Sequence, residues 1–282
     1  MKRRPLLSFF LLTFGITWGL GALTIPFLEQ IKRVFGEVGP GNILWNIAVY
    51  SPAISAFIVI GVNRGSKGIR AYLRRFLHWK VKFYWYLIVL LGIPAIYVCT
   101  TIMTHLFTGA SIKYPFSPWY MAIPAGISMI IINPGAVEEI GWRGFALPIL
   151  QSKFNALVAS LILGLVWATW HLPAFLLSPY EGVSLPIWFI SVFGISVILT
   201  FMYNCTNGSI PMVFLSHWLI NDPFQLRVYS HDQLIVTITF LSIAAIVTFI
   251  AGYKNLGPAK YTEPLPGFIM GRGCLRNEEK DS

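Results

Sequence analysis

The chain alternates long apolar runs with short polar or basic breaks. The runs cover residues 5–28, 43–62, 83–107, 118–140, 154–177, 186–205, 210–226 and 233–252. A helix needs ~20 predominantly apolar residues to cross the hydrocarbon core of a bilayer, and all but the short seventh run approach that length. The runs do not alternate as barrel strands do, and an isolated strand in lipid would leave its amides unpaired. The pattern therefore predicts an all-α, polytopic membrane helix bundle of about eight transmembrane helices. The first run is longer than the apolar stretch of a secretory signal and no small-x-small cleavage site follows it, which predicts a retained helix. Without an internal repeat, residues 1–252 are expected to form one transmembrane domain. Residues 253–282, which end in "RNEEKDS", are expected to be a poorly ordered cytoplasmic tail.

Composition supports lipid as the main solvent. The chain is 56% hydrophobic, 15% aromatic and 11% charged, with a mean hydropathy of +0.67; a water-soluble domain carries roughly 25% charged residues. The formal net charge of +10 would point to nucleic acid in a soluble protein, but cytoplasmic loops of membrane proteins carry excess Lys and Arg. No nucleic-acid partner is expected. With the N-terminus cytoplasmic and eight spans, sixteen of the 21 basic residues fall inside and four outside, Arg143 lying near the membrane. That bias predicts both termini on the cytoplasmic side. Cys99, Cys205 and Cys274 are odd in number and far apart, and imply neither a disulfide framework nor a zinc cluster.

One break is longer than the rest. In "RGSKGIRAYLRRFLHWKVKFYW" (64–85), Ile69, Tyr72, Leu73, Phe76 and Leu77 recur at helical spacing beside Arg70, Arg74 and Arg75. This predicts an additional basic amphipathic helix lying on the anionic inner leaflet. The alternative is a plain basic loop, and neither makes it a catalytic element.

Against this apolar background, ionisable residues within spans carry the functional information, because each costs ~2.5–3.5 kcal/mol on insertion scales. They are Glu138, Glu139, Arg143, His105, His171 and His217, with Asn221 beside them and Asn46, Asn133 and Asn204 as weaker cases. Asp222, Asp232 and Asp281 sit at span ends or in the tail, His78 and His231 in loops, and His105 near an outer span end. Trp85, Tyr86, Trp119, Tyr120 and Trp188 have the positions of interfacial anchors.

In "NPGAVEEIGWRGFALPIL" (133–150), Glu139 and Arg143 are four residues apart and meet on one helix face. Glu138 is rotated about 100° from Glu139 and lacks that local partner, which leaves it available as a general base. Gly135, Gly141 and Gly144 permit close approach of another helix or of a substrate backbone. The alternative is that both carboxylates bind Arg143 and simply hold helices together. In "GLVWATWHLPAF", Trp167 precedes His171 by one turn, so indole and imidazole can pack, and Pro173 frees backbone just beyond. In "FLSHWLINDPF", His217 and Asn221 share a face; they could hold a water or a metal, or bond helices to one another. Lipid exposure would cost each group several kcal/mol, so the three stretches should face one another. One carboxylate, two imidazoles and an amide can activate a water, with or without Zn²⁺ held by Glu138, His171 and His217. No HExxH is present.

Taken in order, "EEIGWR" (138–143), "WATWH" (167–171) and "HWLIN" (217–221) resemble the three motifs of the CPBP family of intramembrane proteases, EExxxR, FxxxH and HxxxN/D. That family includes the CAAX prenyl endopeptidases and bacteriocin-immunity relatives. The resembling core runs over about 118–226, and Trp167 stands where the pattern usually has Phe. The resemblance implies an intramembrane endopeptidase in which Glu138 activates the attacking water and Glu139 and Arg143 form a supporting ion pair. It further implies that His171 and His217 orient that water or bind a metal, and that Asn221 stabilises the oxyanion. A zinc enzyme and a metal-free glutamate protease are equally open. The implied partner is a membrane-embedded or lipidated peptide or protein, and the expected location is a bacterial plasma membrane. Two other functions compete: a non-catalytic immunity or scaffold protein binding a peptide in the same cavity, and, for want of inverted repeats, more remotely a transporter.

Overall fold

The computed structural model describes residue 1 and residues 3–132, 134–177, 183–226 and 233–258. Asn133, Arg227, His231, Asp232, Cys274, Asp281 and the tail from residue 259 lie outside the described residues. Within them the chain is helical and contains no strand. In chain order the helices are α1 (Pro5–Phe35), α2 (Ile43–Leu77), α3 (Phe83–Thr108), α4 (Trp119–Ile130), α5 (Gly135–Gln151), α6 (Ala156–Leu177), α7 (Leu185–Cys205), α8 (Ile210–Ile220) and α9 (Gln233–Ala251). The polytopic helix bundle is borne out, while the count of eight is approximate. Six helices are long and apolar enough to cross a membrane, and α4 and α5, bent by 43°, make a seventh crossing if they act as one. At about 1.5 Å per residue, the eleven residues of α8 reach only about half of a ~30 Å hydrocarbon core.

Three predicted boundaries move. Residues 118–140 are not a single span: the paired glutamates open a new helix, α5, instead of ending the old one. The seventh run, 210–226, is helical only to Ile220. The tail is fixed as far as residue 258. Leu256 is fully buried, and the carbonyls of Lys254 and Tyr253 accept from the amides of Ala156 (2.8 Å) and Leu157 (3.1 Å) at the start of α6. A helix start leaves such amides without intrahelical partners, so the carbonyls of residues 253–254 and the Asn155 side chain, which accepts from Val158, cap α6 together.

The basic segment is a helix, but it does not simply float on a membrane surface. Gly65 breaks α2 with φ +62°, a left-handed conformation that costs glycine little. Beyond it, residues 66–77 turn back onto the bundle. Tyr72 is fully buried, whereas Leu73 and Leu77, expected on the apolar face, are exposed. Tyr72 meets Phe57 edge-on at 5.4 Å, and its hydroxyl donates to the carbonyl of Ile140. The embedded face therefore serves the protein core.

Packing explains the position of α5. Helices α1 and α5 both pack on α2, and α6 and α9 flank α7. A Cβ at Gly141 would lie 2.5 Å from the Pro52 carbonyl of α2, so only glycine allows the two backbones to come this close. Trp142, Phe145, Leu147, Leu163 and Met212 form the dry centre, while Phe249 and Phe107 point outward. Lipid gives little hydrophobic drive for helix association, so close packing and interhelical hydrogen bonds hold such bundles. Buried Thr17 and Ser51 share a 2.6 Å bond, and the Trp170 indole donates to Thr17 at 2.7 Å, joining α1, α2 and α6.

Candidate active site

Helix α5 presents its acidic pair at its beginning. A short 3₁₀ turn, Gly135–Val137, leads into α-helical Glu138–Gly141, and the register then widens to π-helix over Trp142–Ala146. Such π segments are rare and occur often at functional sites. Pro148, four residues beyond Gly144, has no N–H to give the Gly144 carbonyl. Arg75 supplies a donor from outside, its Nη1 bonding that carbonyl at 2.6 Å.

The pair faces two ways. Glu139 and Arg143 are both fully buried and bonded, Nη1 to Oε1, at 2.8 Å. The same Glu139 oxygen meets Nδ1 of His217 at 2.8 Å, while Nη2 of Arg143 donates to Ser196 Oγ at 3.1 Å. Ser196 in turn donates to the Ser160 carbonyl. Among the described residues Glu138 has no cationic partner from lysine or arginine; its Oε2 accepts from the Trp167 indole at 2.7 Å and, more weakly, from Trp142 at 3.4 Å. Its Oε1 lies 3.9 Å from Nε2 of His171, beyond a hydrogen bond and within reach of one shared water. Among the described residues Glu138 thus makes no ion pair with Arg143, in keeping with its rotation away from Glu139, and Trp142, also four residues away, is the neutral donor that the same i, i+4 spacing brings to it.

Each histidine is held by one ring nitrogen. Nδ1 of His171 lies 2.9 Å from the Trp167 carbonyl. A carbonyl only accepts, so this nitrogen carries the proton and Nε2 is left with its lone pair. The Glu139 carboxylate fixes His217 by the same logic. The imidazole of His171 is enclosed edge-on by Trp167, Trp170 and Trp188, with centroid separations of 5.7, 4.6 and 5.0 Å. Trp188 is therefore a site residue rather than an interfacial anchor. Trp85 is also no anchor, being buried against Phe201, while Trp119 and Tyr120 are exposed.

A cavity of about 340 Å³ joins the pieces. Glu138, Trp167, His171, His217, Gly135 and Asn221 line its polar end, and Val192, Ile195, Val236 and Phe240 line an apolar wall. Asn221 stands exposed just past α8, its Nδ2 2.9 Å from where a Cβ on Gly135 would project. The structure thus brings the four predicted catalytic positions to one cavity, with Trp167 beside them in its lining and Glu139 and Arg143 behind. His105 is elsewhere, bonded to the Ala110 carbonyl at the end of α3.

For zinc, the tethered imidazoles have the outer support that metal-ligating histidines need. The positions do not fit, however: among the described residues no three His, Cys, Asp or Glu side chains converge as a metal-binding group. No step is derived through a metal.

Residues 115–221 match a family model described as "Type II CAAX prenyl endopeptidase Rce1-like", an interval that contains every site residue from Glu138 to Asn221. The chain is 25% identical over 260 residues to CAAX prenyl protease 2 of Methanococcus maripaludis, covering 86% of this chain and 92% of that protein. It is also 27% identical over 130 residues to lysostaphin resistance protein A of Staphylococcus haemolyticus, covering 42% of this chain and 34% of that one. The resemblance read from the three motifs is borne out: this is an integral membrane protein that is similar, over residues 115–221, to the Rce1-like CAAX prenyl endopeptidases.

Proposed function

We propose that the protein is an intramembrane endopeptidase that hydrolyses a peptide bond of a membrane-embedded or lipidated peptide or protein. The observation that carries this reading is the convergence of Glu138, His171, His217 and Asn221 on one cavity with an apolar wall. A water between Glu138 Oε1 and His171 Nε2 gives up a proton to the carboxylate as its oxygen attacks the scissile carbonyl. The Trp167 and Trp142 N–H groups hold the other carboxylate oxygen, so the free oxygen stays aimed at the water. Asn221, with two amide N–H donors at the cavity edge, receives the developing oxyanion. Glu138 then returns the proton to the leaving amine, and the C–N bond breaks. His217, with Nδ1 bound to Glu139, is held by that bond at the cavity lining beside the water. The apolar wall takes the substrate's lipid-soluble portion. The basic-residue bias supports cytoplasmic termini.

Likeness to lysostaphin resistance protein A favours one second reading, a non-catalytic immunity or scaffold role that uses the same cavity to bind a peptide. The test compares membrane peptides from cells carrying wild-type or Glu138→Gln protein. Under the proposal a precursor accumulates and its cleavage product disappears. Identical peptide patterns, with any resistance phenotype retained, would sink the protease and leave the binding role.

A further inference from the structure

The short helix after Gly65 has two faces, and only one of them is occupied by the protein. On the inner face Tyr72 and Arg75 reach α5 itself: Tyr72 bonds the carbonyl of Ile140, and Arg75 Nη1 that of Gly144 at 2.6 Å. Arg75 Nη2 also donates to the Tyr203 hydroxyl of α7. On the outer face Lys67, Arg70 and Arg74 are exposed and line a recess with Ser66 and Ala71. Positions 67, 70 and 74 share a face, being spaced by three and four residues. Among the described residues none of the three cations is in an ion pair. The Lys and Arg ion pairs there involve Lys32 and Arg143.

Three unneutralised cations on one face, with a hydroxyl at one end, match the oxygens of a phosphate monoanion or diester. They follow directly on the apolar part of α2, whose length and hydropathy suit it to cross a membrane, which puts phospholipid headgroups within their reach. A phosphodiester there is in a lipid, and its acyl chains have exposed apolar side chains to lie against in Val62 and Leu73. We propose that Lys67, Arg70, Arg74 and Ser66 form a binding site for the phosphate of an anionic phospholipid. Because the opposite face of the same helix bonds two carbonyls of α5, occupancy steadies the segment that carries Glu138 and Glu139. The second clause rests on the endopeptidase reading; the binding site does not.

The test uses full-length protein in nanodiscs of phosphatidylcholine with increasing phosphatidylglycerol, reading bound lipid by native mass spectrometry and cleavage in parallel. Removing each cation should weaken retention about fivefold, and Lys67→Gln/Arg70→Gln/Arg74→Gln together about a hundredfold. Lys153→Gln, an exposed cation elsewhere, should change nothing, and Arg70→Lys/Arg74→Lys should restore most retention. Wild-type cleavage should rise with phosphatidylglycerol, and the triple Gln variant should not respond. Equal phosphatidylglycerol retention by wild type and the triple variant would overturn the site, as would inorganic phosphate displacing the lipid from detergent-solubilised protein. Retention as expected with cleavage indifferent to phosphatidylglycerol would overturn the link to α5. Normal retention with no cleavage under any condition would count instead against the endopeptidase reading.

Discussion

The two sides of the first turns of α5 differ more than their sequence does. Glu138 and Glu139 are adjacent, identical and both buried. Glu139 faces a closed network in which its charge is met by Arg143, and the same oxygen also meets His217. From there the bonding continues through Ser196 and Ser160 to Thr200. Glu138 faces a cavity and is met by neutral indole N–H groups on one oxygen only. A buried charge that is paired stabilises an arrangement, whereas one held by neutral donors and open on one side keeps its reactivity. Rotation by one residue about a helix is enough to place one carboxylate in a bonded network and its neighbour at a cavity, the difference on which the proposed division of roles rests.

Two substitutions of the same kind test that contrast most severely. Glu138→Gln removes the base while retaining size and polarity, and should lower cleavage by about 10²–10⁴-fold. Its thermal unfolding in detergent should stay close to wild type. Glu139→Gln leaves Arg143 buried without its counter-charge and should destabilise by about 3–5 kcal/mol, seen as a clear fall in midpoint temperature. Equal losses of stability in both variants would erase the distinction between the two sides.

Much of this contrast was legible in the sequence. The i, i+4 relation of Glu139 and Arg143 needs only helix geometry, and the cost of charge in lipid required Glu138, His171, His217 and Asn221 to find common ground. What escaped is instructive. Trp142 stands four residues from Glu138, a spacing that the pairing of Glu139 with Arg143 overshadows in the sequence. Trp188 has the position of a membrane anchor, and only the packing of α7 against α6 turns it onto His171. The burial of Tyr72 depends on the break at Gly65, a backbone event to which hydrophobic periodicity is blind. Likewise α5 begins a new helix in a stretch whose apolar character is continuous with α4, so hydropathy alone merges them.

A finer test concerns Trp167, which links the two sides. Its indole N–H holds Glu138 Oε2, its ring lies beneath the Arg143 guanidinium at 4.9 Å, and its edge meets His217 at 5.2 Å. Phenylalanine, the usual residue of the motif that this stretch resembles, would preserve an aromatic face while deleting the N–H together with one ring of the indole. A hydrogen bond to a charged group contributes about 1.5–3 kcal/mol, so Trp167→Phe should lower kcat by about 10–100-fold. KM should be unchanged, since the indole N–H faces the base and not the apolar wall. A rise in KM at constant kcat would make Trp167 part of substrate binding and remove the clamp from the catalytic side.

The mildest substitution asks whether the structural side is as closed as it looks. Ser196→Ala deprives Arg143 Nη2 of its acceptor, in a pair where Arg143 Nε and Glu139 Oε2 are already without partners among the described residues. One more unmet N–H on a buried guanidinium should cost about 1–2 kcal/mol, less than removing the counter-charge. The Arg143–Glu139 and Glu139–His217 bonds do not pass through Ser196, so Nε2 of His217 should keep its place in the cavity. Cleavage per folded molecule should therefore match wild type, even as the unfolding midpoint falls. The opposite result, lost cleavage at unchanged stability, would mean that Arg143 is positioned by Ser196 for the chemistry, and the division of the two glutamates would have to be redrawn around the guanidinium.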